Sequence, residues 1–209
     1  MKVNEIFYSI QGEGAWSGTP TIFIRTTGCN LRCSFCDTKY AYEQGTEMSI
    51  QEILDEIKKY PCRTICLTGG EPLLQKDLQK LITCLLQKKY RISLEANGSI
   101  DIKKFSRKTN VVISLDIKCP SSGMKDTIYL KNISYLNKKD QLKFIIKDKN
   151  DITYAKEIIK KYHPRCSVFF QPVWGTDPKK LATWILDDGL PVRVGLQLHK
   201  IIWGEKKGV

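Results

Sequence analysis

Residues 49–70 read Ser-Ile-Gln-Glu-Ile-Leu-Asp-Glu-Ile-Lys-Lys-Tyr-Pro-Cys-Arg-Thr-Ile-Cys-Leu-Thr-Gly-Gly, a helical period followed by a strand. Ser49 and Glu52 have capping-box spacing, and Ile50, Ile53, Leu54 and Ile57 fall on one face, which predicts a helix over Ser49–Tyr60. Arg63–Thr68 is a short apolar run closed by Gly69-Gly70, the pattern of a buried strand. A helix that leads directly into a buried strand is half of a parallel β-α-β unit.

The alternation continues in both directions. Thr21–Thr26 is strand-like upstream. Downstream, Gln75–Lys88 is a helix with Leu78, Leu81, Ile82 and Leu85 on its apolar side. Arg91–Ala96, Val111–Ile117, Leu142–Lys147, Ser167–Gln171 and Val192–Leu198 read as strands, and 152–162 and 178–186 as helices. The fold class is α/β, with a mostly parallel sheet and helical crossovers. Seven strands suit either an open doubly wound sheet or an incomplete barrel, and patterning alone does not separate them. Both place ligands at the C-terminal strand ends. Cys29, Gly69-Gly70-Glu71, Glu95-Ala96-Asn97-Gly98, Asp116-Ile117-Lys118 and Gln171-Pro172 all follow strands, so one site on one face is expected.

The chain has 209 residues with 34 Lys plus Arg and 22 Asp plus Glu, a balance of +12. Its 42% apolar and 27% charged content excludes wholesale disorder. No apolar run approaches the ~20 residues of a membrane span, and Met1–Glu5 does not open a signal peptide, so a cytoplasmic location with reduced thiols is expected. The basic residues are scattered pairs such as Lys103-Lys104 and Lys160-Lys161, which read as a solvated surface before they read as a nucleic-acid face. There is no low-complexity segment or repeat, and a single domain over 1–209 is expected.

Eight cysteines in a reducing compartment need a reason. Cys29, Cys33 and Cys36 crowd one loop, Gly28-Cys29-Asn30-Leu31-Arg32-Cys33-Ser34-Phe35-Cys36-Asp37-Thr38, and a tight cluster reads as a metal site. Structural zinc takes four ligands, and the only histidines, His163 and His199, are far away in sequence. A cubane iron–sulfur cluster on three thiolates leaves one iron open. Cys62 and Cys66 share a spacing of four, but in a strand that separates them by ~13 Å, so a second cluster is not expected. Cys66, Cys84 and Cys166 read as core, and Cys119 as partly exposed near the site.

The C-x3-C-x2-C loop, with Phe35 before its last cysteine, resembles the signature of the radical S-adenosylmethionine (radical SAM) enzymes. Gly69-Gly70-Glu71-Pro72 resembles their GGEP motif. Within them, the opening Glu5-Ile6-Phe7-Tyr8-Ser9-Ile10-Gln11-Gly12-Glu13-Gly14, then Gly18-Thr19-Pro20, resembles the 7-carboxy-7-deazaguanine synthase family. So do Phe23-Ile24-Arg25, Gly28-Cys29-Asn30-Leu31, Cys36-Asp37-Thr38, Leu94-Glu95-Ala96-Asn97-Gly98, Lys118-Cys119-Pro120-Ser121-Ser122-Gly123 and Gln197-Leu198-His199.

The resemblance implies a partial (β/α) barrel of radical SAM type, with residues 1–20 as a substrate-pocket extension. It implies a carbon–nitrogen lyase that converts 6-carboxy-5,6,7,8-tetrahydropterin to 7-carboxy-7-deazaguanine with loss of ammonia, on the way to the 7-deazapurines of modified transfer RNA (queuosine or archaeosine). The implied cofactors are a 4Fe-4S cluster, S-adenosylmethionine and Mg²⁺. The implied partners are the small pterin, a flavodoxin or ferredoxin as electron donor, and a second copy in a homodimer, with no nucleic acid or membrane. By position, Cys29, Cys33 and Cys36 hold the cluster and Thr38 holds Mg²⁺. Phe35, Cys36, Asp37, Gly70, Asp116, Ile117, Lys118 and Gln171 meet S-adenosylmethionine. Ile10, Gln11, Gly12, Arg25, Thr68 and His199 meet the pterin, with Arg25 on its carboxylate, and Glu95 is the candidate catalytic residue. Bacterial relatives often read Ser-Pro-Lys where this chain has Asp116-Ile117-Lys118. The rival readings are an activase that places a glycyl radical on a partner protein, and a zinc-dependent RNA-binding module.

Overall fold

A computed structural model describes residues 1–209. Nine strands form one sheet: β1 (Lys2–Ile10), β2 (Pro20–Thr26), β3 (Thr46–Glu47), β4 (Thr64–Gly69), β5 (Arg91–Ala96), β6 (Val111–Ile117), β7 (Gln141–Ile146), β8 (Ser167–Pro172) and β9 (Arg193–Val194). Their order is β3-β1-β2-β4-β5-β6-β7-β8-β9. From β2 to β9 every pairing is parallel and the order never reverses. A doubly wound sheet requires a reversal at its switch point, so the winding here is that of a barrel. β3 and β9 do not meet, and the barrel is partial.

The helices are α1 (Ile50–Ile57), α2 (Leu78–Gln87), α3 (Lys103–Ser106), α4 (Lys149–Tyr162), α5 (Pro178–Asp187) and α6 (Leu198–Trp203). The capping box on α1 is formed, with Ser49 N–H donating to Glu52 Oε2 at 2.7 Å and Glu52 N–H to Ser49 Oγ at 3.2 Å. Helix α4 begins before its first periodic residue, Ile152, because Asp148 accepts from the N–H groups of Asn150 and Asp151.

Strand alternation divides the sheet into two chemistries. Ile22, Ile24, Ile65, Leu67, Ile92, Leu94, Ile113, Leu115, Leu142, Phe144 and Phe170 point outward and form one core with α1, α2, α4 and α5. The inner face carries Arg25, Cys66, Thr68, Glu95, Asp116, Lys143 and Gln171. Burial of the outer face holds the barrel together and leaves the inner face free to be polar.

Two expectations differ from the structure, and one long strand was not expected. Residues 1–20 contain a full antiparallel strand, β1, with Phe7 stacked on Phe23 at 4.8 Å. The last expected strand shrinks to Arg193–Val194, and Leu198 starts α6. Cys119 is fully buried in the core, one residue past the inward-facing Lys118, while Cys84 and Cys166 are only partly covered.

Candidate active site

The cysteine loop leaves β2 through Gly28, whose φ of 99° favours glycine. Gly28 N–H donates to Ala41 O at 2.9 Å, which closes the loop at its base. Glu71 N–H donates to Gly28 O at 2.8 Å, and a β-carbon on Gly70 would overlap that same carbonyl and Cys29. The Gly69-Gly70 pair is what lets the end of β4 press against the loop. Ser34 ties the far side down through N–H to Ser122 O at 3.1 Å and Oγ to Ser121 O at 2.8 Å.

Cys29, Cys33 and Cys36 are all half-buried and line one cavity at the C-terminal strand ends. Leu31 N–H and Asn97 Nδ2 lie 3.4 and 3.9 Å from Cys29 Sγ. No three His, Cys, Asp or Glu side chains converge on a single-ion site. His163 terminates α4 in the left-handed region, and His199 stands beside Gly12. Three soft thiolates on one loop suit an iron–sulfur cluster with one iron left open.

The cavity also gathers Ile10, Gln11, Gly12, Arg25, Phe35, Asp37, Thr38, Thr68, Gly70, Glu95, Asp116, Lys118, Gln171 and His199. Ile117 is the exception. Its side chain sits on the opposite face of the sheet in the core, so only its backbone reaches the strand end. Gln171 is buried with Oε1 unpartnered, an acceptor held at the wall. Gly12 O accepts from Leu198 N–H at 2.9 Å, and a β-carbon at Gly12 would overlap the His199 imidazole. Burial lowers the His199 pKa.

Arg25 already has partners within the chain. Its Nε donates to Glu5 Oε1 at 2.7 Å, and its guanidinium lies 5.7 Å from the Phe7 and Tyr40 ring centroids. Thr38 Oγ1 donates to Asp37 Oδ1 at 3.0 Å. Asp37 also takes Lys200 of α6 and, at 3.2 Å, Gln197. Burial would raise its pKa, but these donors hold it at about 2.

The cavity floor is a charge cluster that sequence reasoning missed. Lys143 Nζ lies 2.6 Å from Glu13 Oε2, 3.2 Å from Asp116 Oδ1 and 3.7 Å from Glu95 Oε2. Lys118 Nζ pairs with Asp116 Oδ2 at 2.6 Å. Burial opposes ionisation of all three acids. The lysines overcome it at Asp116, as Lys143 and Gln197 do at Glu13, and both pKa values are lowered; at Glu95 burial prevails and the pKa is raised. The one signal in the sequence was a lysine in the middle of the apolar strand Leu142–Ile146.

A family model described as the Radical SAM superfamily matches residues 23–168. The 7-carboxy-7-deazaguanine synthase of Thermoplasma acidophilum is 40% identical over 209 residues, covering 100% of both chains. The chain belongs to the 7-carboxy-7-deazaguanine synthase family. The 7-carboxy-7-deazaguanine synthase of Methanospirillum hungatei is 41% identical, over 97% of this chain and 85% of that one. The crystal structure of QueE from Escherichia coli shares the fold with a TM-score of 0.78 at 23% identity, over 95% and 94% of the two chains. Membership in the 7-carboxy-7-deazaguanine synthase family makes this a radical SAM enzyme, with a 4Fe-4S cluster and S-adenosylmethionine as cofactors. No helix is long and apolar enough to cross a membrane.

Proposed function

We propose that this enzyme converts 6-carboxy-5,6,7,8-tetrahydropterin to 7-carboxy-7-deazaguanine with release of ammonia. The observation that carries the reading is the meeting, in one cavity, of the three-cysteine loop with Arg25 and the polar inner face. When bound, the cluster and S-adenosylmethionine would supply one-electron, hydrogen-abstracting chemistry beside the substrate.

The chain's residues supply the rest. Cys29, Cys33 and Cys36 hold the cluster. Phe35, Cys36, Asp37, Gly70, Gln171 and the strand end Asp116-Ile117-Lys118 hold S-adenosylmethionine, with Ile117 contributing backbone only. The Nη atoms of Arg25, turned from its bond to Glu5, bind the substrate carboxylate by charge-assisted hydrogen bonds. Ile10, Gln11, Gly12, Thr68 and His199 border the ring, where amide and backbone groups can pair with pterin donors and acceptors. Glu95 holds or moves a proton, and Thr38 offers a hydroxyl to Mg²⁺, a hard ion that prefers oxygen.

The same reading has the whole chain acting as one domain in the cytoplasm, as a homodimer reduced by a flavodoxin or ferredoxin. Its product goes to 7-deazapurine biosynthesis, with no direct contact to nucleic acid. The test is a substrate-binding titration of the reconstituted enzyme. Carboxytetrahydropterin should bind more tightly than the same pterin without its carboxylate, and equal affinities would overturn the assignment of Arg25.

A further inference from the structure

Three acids and two lysines meet in the cavity: Glu13, Glu95 and Asp116 against Lys143 and Lys118. The cluster holds one more carboxylate than ammonium. The arrangement is graded around Lys143, whose side chain is 6% exposed and whose neighbours come from three elements. Glu13 on the loop after β1 is in hydrogen-bond contact, Asp116 on β6 is its cross-strand partner, and Glu95 on β5 is the farthest. Glu13 also accepts from Gln197 Nε2 at 2.9 Å, and Asp116 has Lys118. Around Glu95 stand Ser93 on its own strand, Ser114 and Asp116 from β6, Cys66 from β4, Lys143 from β7 and Glu13. Glu95 is thus the acid with the weakest cationic support.

We propose that Lys143 is a positioning residue that sorts the three acids: it fixes Glu13 and Asp116 as carboxylates and leaves Glu95 as the group that exchanges a proton with the substrate. The inference rests on the proposed reading in which Glu95 faces the pterin. The exchange is a proton transfer with no change in oxidation state. Glu95 as a carboxylate takes a proton from the substrate and becomes a neutral acid, and Lys143 at 3.7 Å supports the carboxylate form before the transfer. Environments that drive neighbouring titratable groups apart are the usual means of assigning acid and base roles, and the opposite directions at Glu13 and Glu95 agree with this.

The test compares the pH dependence of kcat in reconstituted wild-type, Lys143→Arg and Lys143→Met enzymes. In Lys143→Met the limb that reports Glu95 should move up by about one pH unit or more, because a favourable charge is gone. On the acid side of that limb kcat should fall about tenfold at a given pH, with KM changed much less. Lys143→Arg should keep the limb in place. An unshifted limb in Lys143→Met would overturn the proposal. A second measurement needs no Lys143 variant and no substrate: difference infrared titration of carboxyl bands in the holoenzyme from pH 5 to 9. Glu95→Gln should remove a band that titrates above the ordinary carboxylate range, and Glu13→Gln should remove none there. The reverse result would overturn the proposal. Absence of product in the wild-type enzyme would instead strike the reaction itself and leave the infrared assignment standing.

Discussion

The Nε of Arg25 donates a 2.7 Å hydrogen bond to Oε1 of Glu5 across the antiparallel pair of β2 and β1. Glu5 in turn accepts from Tyr40 Oη at 3.1 Å. The carboxylate thus fixes the Nε edge of the guanidinium of this cavity-lining residue and leaves both Nη atoms without a hydrogen bond within the chain. Arg25→Ala should weaken substrate binding by ~30-fold or more, the loss of a charge-assisted pair worth about 2–5 kcal/mol. Lysine should be a poor replacement, since a point charge lacks the two-pronged geometry. A binding titration with the carboxytetrahydropterin checks both variants, and unchanged affinity in the alanine variant would show that those Nη atoms are unused.

Glu71 gives a pH signature. It is fully buried, and its oxygens accept from Asn97 N–H at 2.6 Å and Leu73 N–H at 2.9 Å. Burial pushes its pKa up to about 7, with these bonds offsetting part of the effect. The folded value exceeds the unfolded one, so folding takes up a proton and the contribution to stability is lost as pH rises through about 7. Through this group the ligand-free protein should be about 2 kcal/mol less stable at pH 8 than at pH 5.5. Urea unfolding at both values should show the difference in the wild type and lose that component in Glu71→Gln. The same pH slope in both proteins would remove Glu71 as its source.

Thr38 stands two residues past Cys36, at the rim between the cysteine loop and α6. Thr38→Ala should leave cluster content intact while turnover falls and more Mg²⁺ is required. A Mg²⁺ titration identical to the wild type would assign the ion to other oxygens.

What was legible in the sequence is what is local or periodic. The strands β2 and β4–β8 could be read because each buries an apolar outer face, and the cysteine loop because its ligands lie within eight residues. Strand β1 was missed because its inner positions mix Glu5, Phe7 and Ser9, and because it reverses the direction of the sheet. Glu13 was legible only as part of the Gln11–Gly14 opening, and Lys143 only as one position of an apolar strand. They are 130 residues apart, and only the barrel register brings them to 2.6 Å. The inward direction of Asp116 and the outward direction of Ile117 follow from alternation, once the sheet is known to have one polar face.

The most direct measurement is anaerobic incubation of the reconstituted enzyme with S-adenosylmethionine, reductant, Mg²⁺ and 6-carboxy-5,6,7,8-tetrahydropterin, followed by mass and ultraviolet spectra of the product. The account predicts 7-carboxy-7-deazaguanine, formed over many turnovers for each S-adenosylmethionine, and none from Cys33→Ala, which should also lose the visible iron–sulfur absorbance. Product from Cys33→Ala, or a cluster-loaded wild-type enzyme that leaves the pterin unchanged, would contradict it.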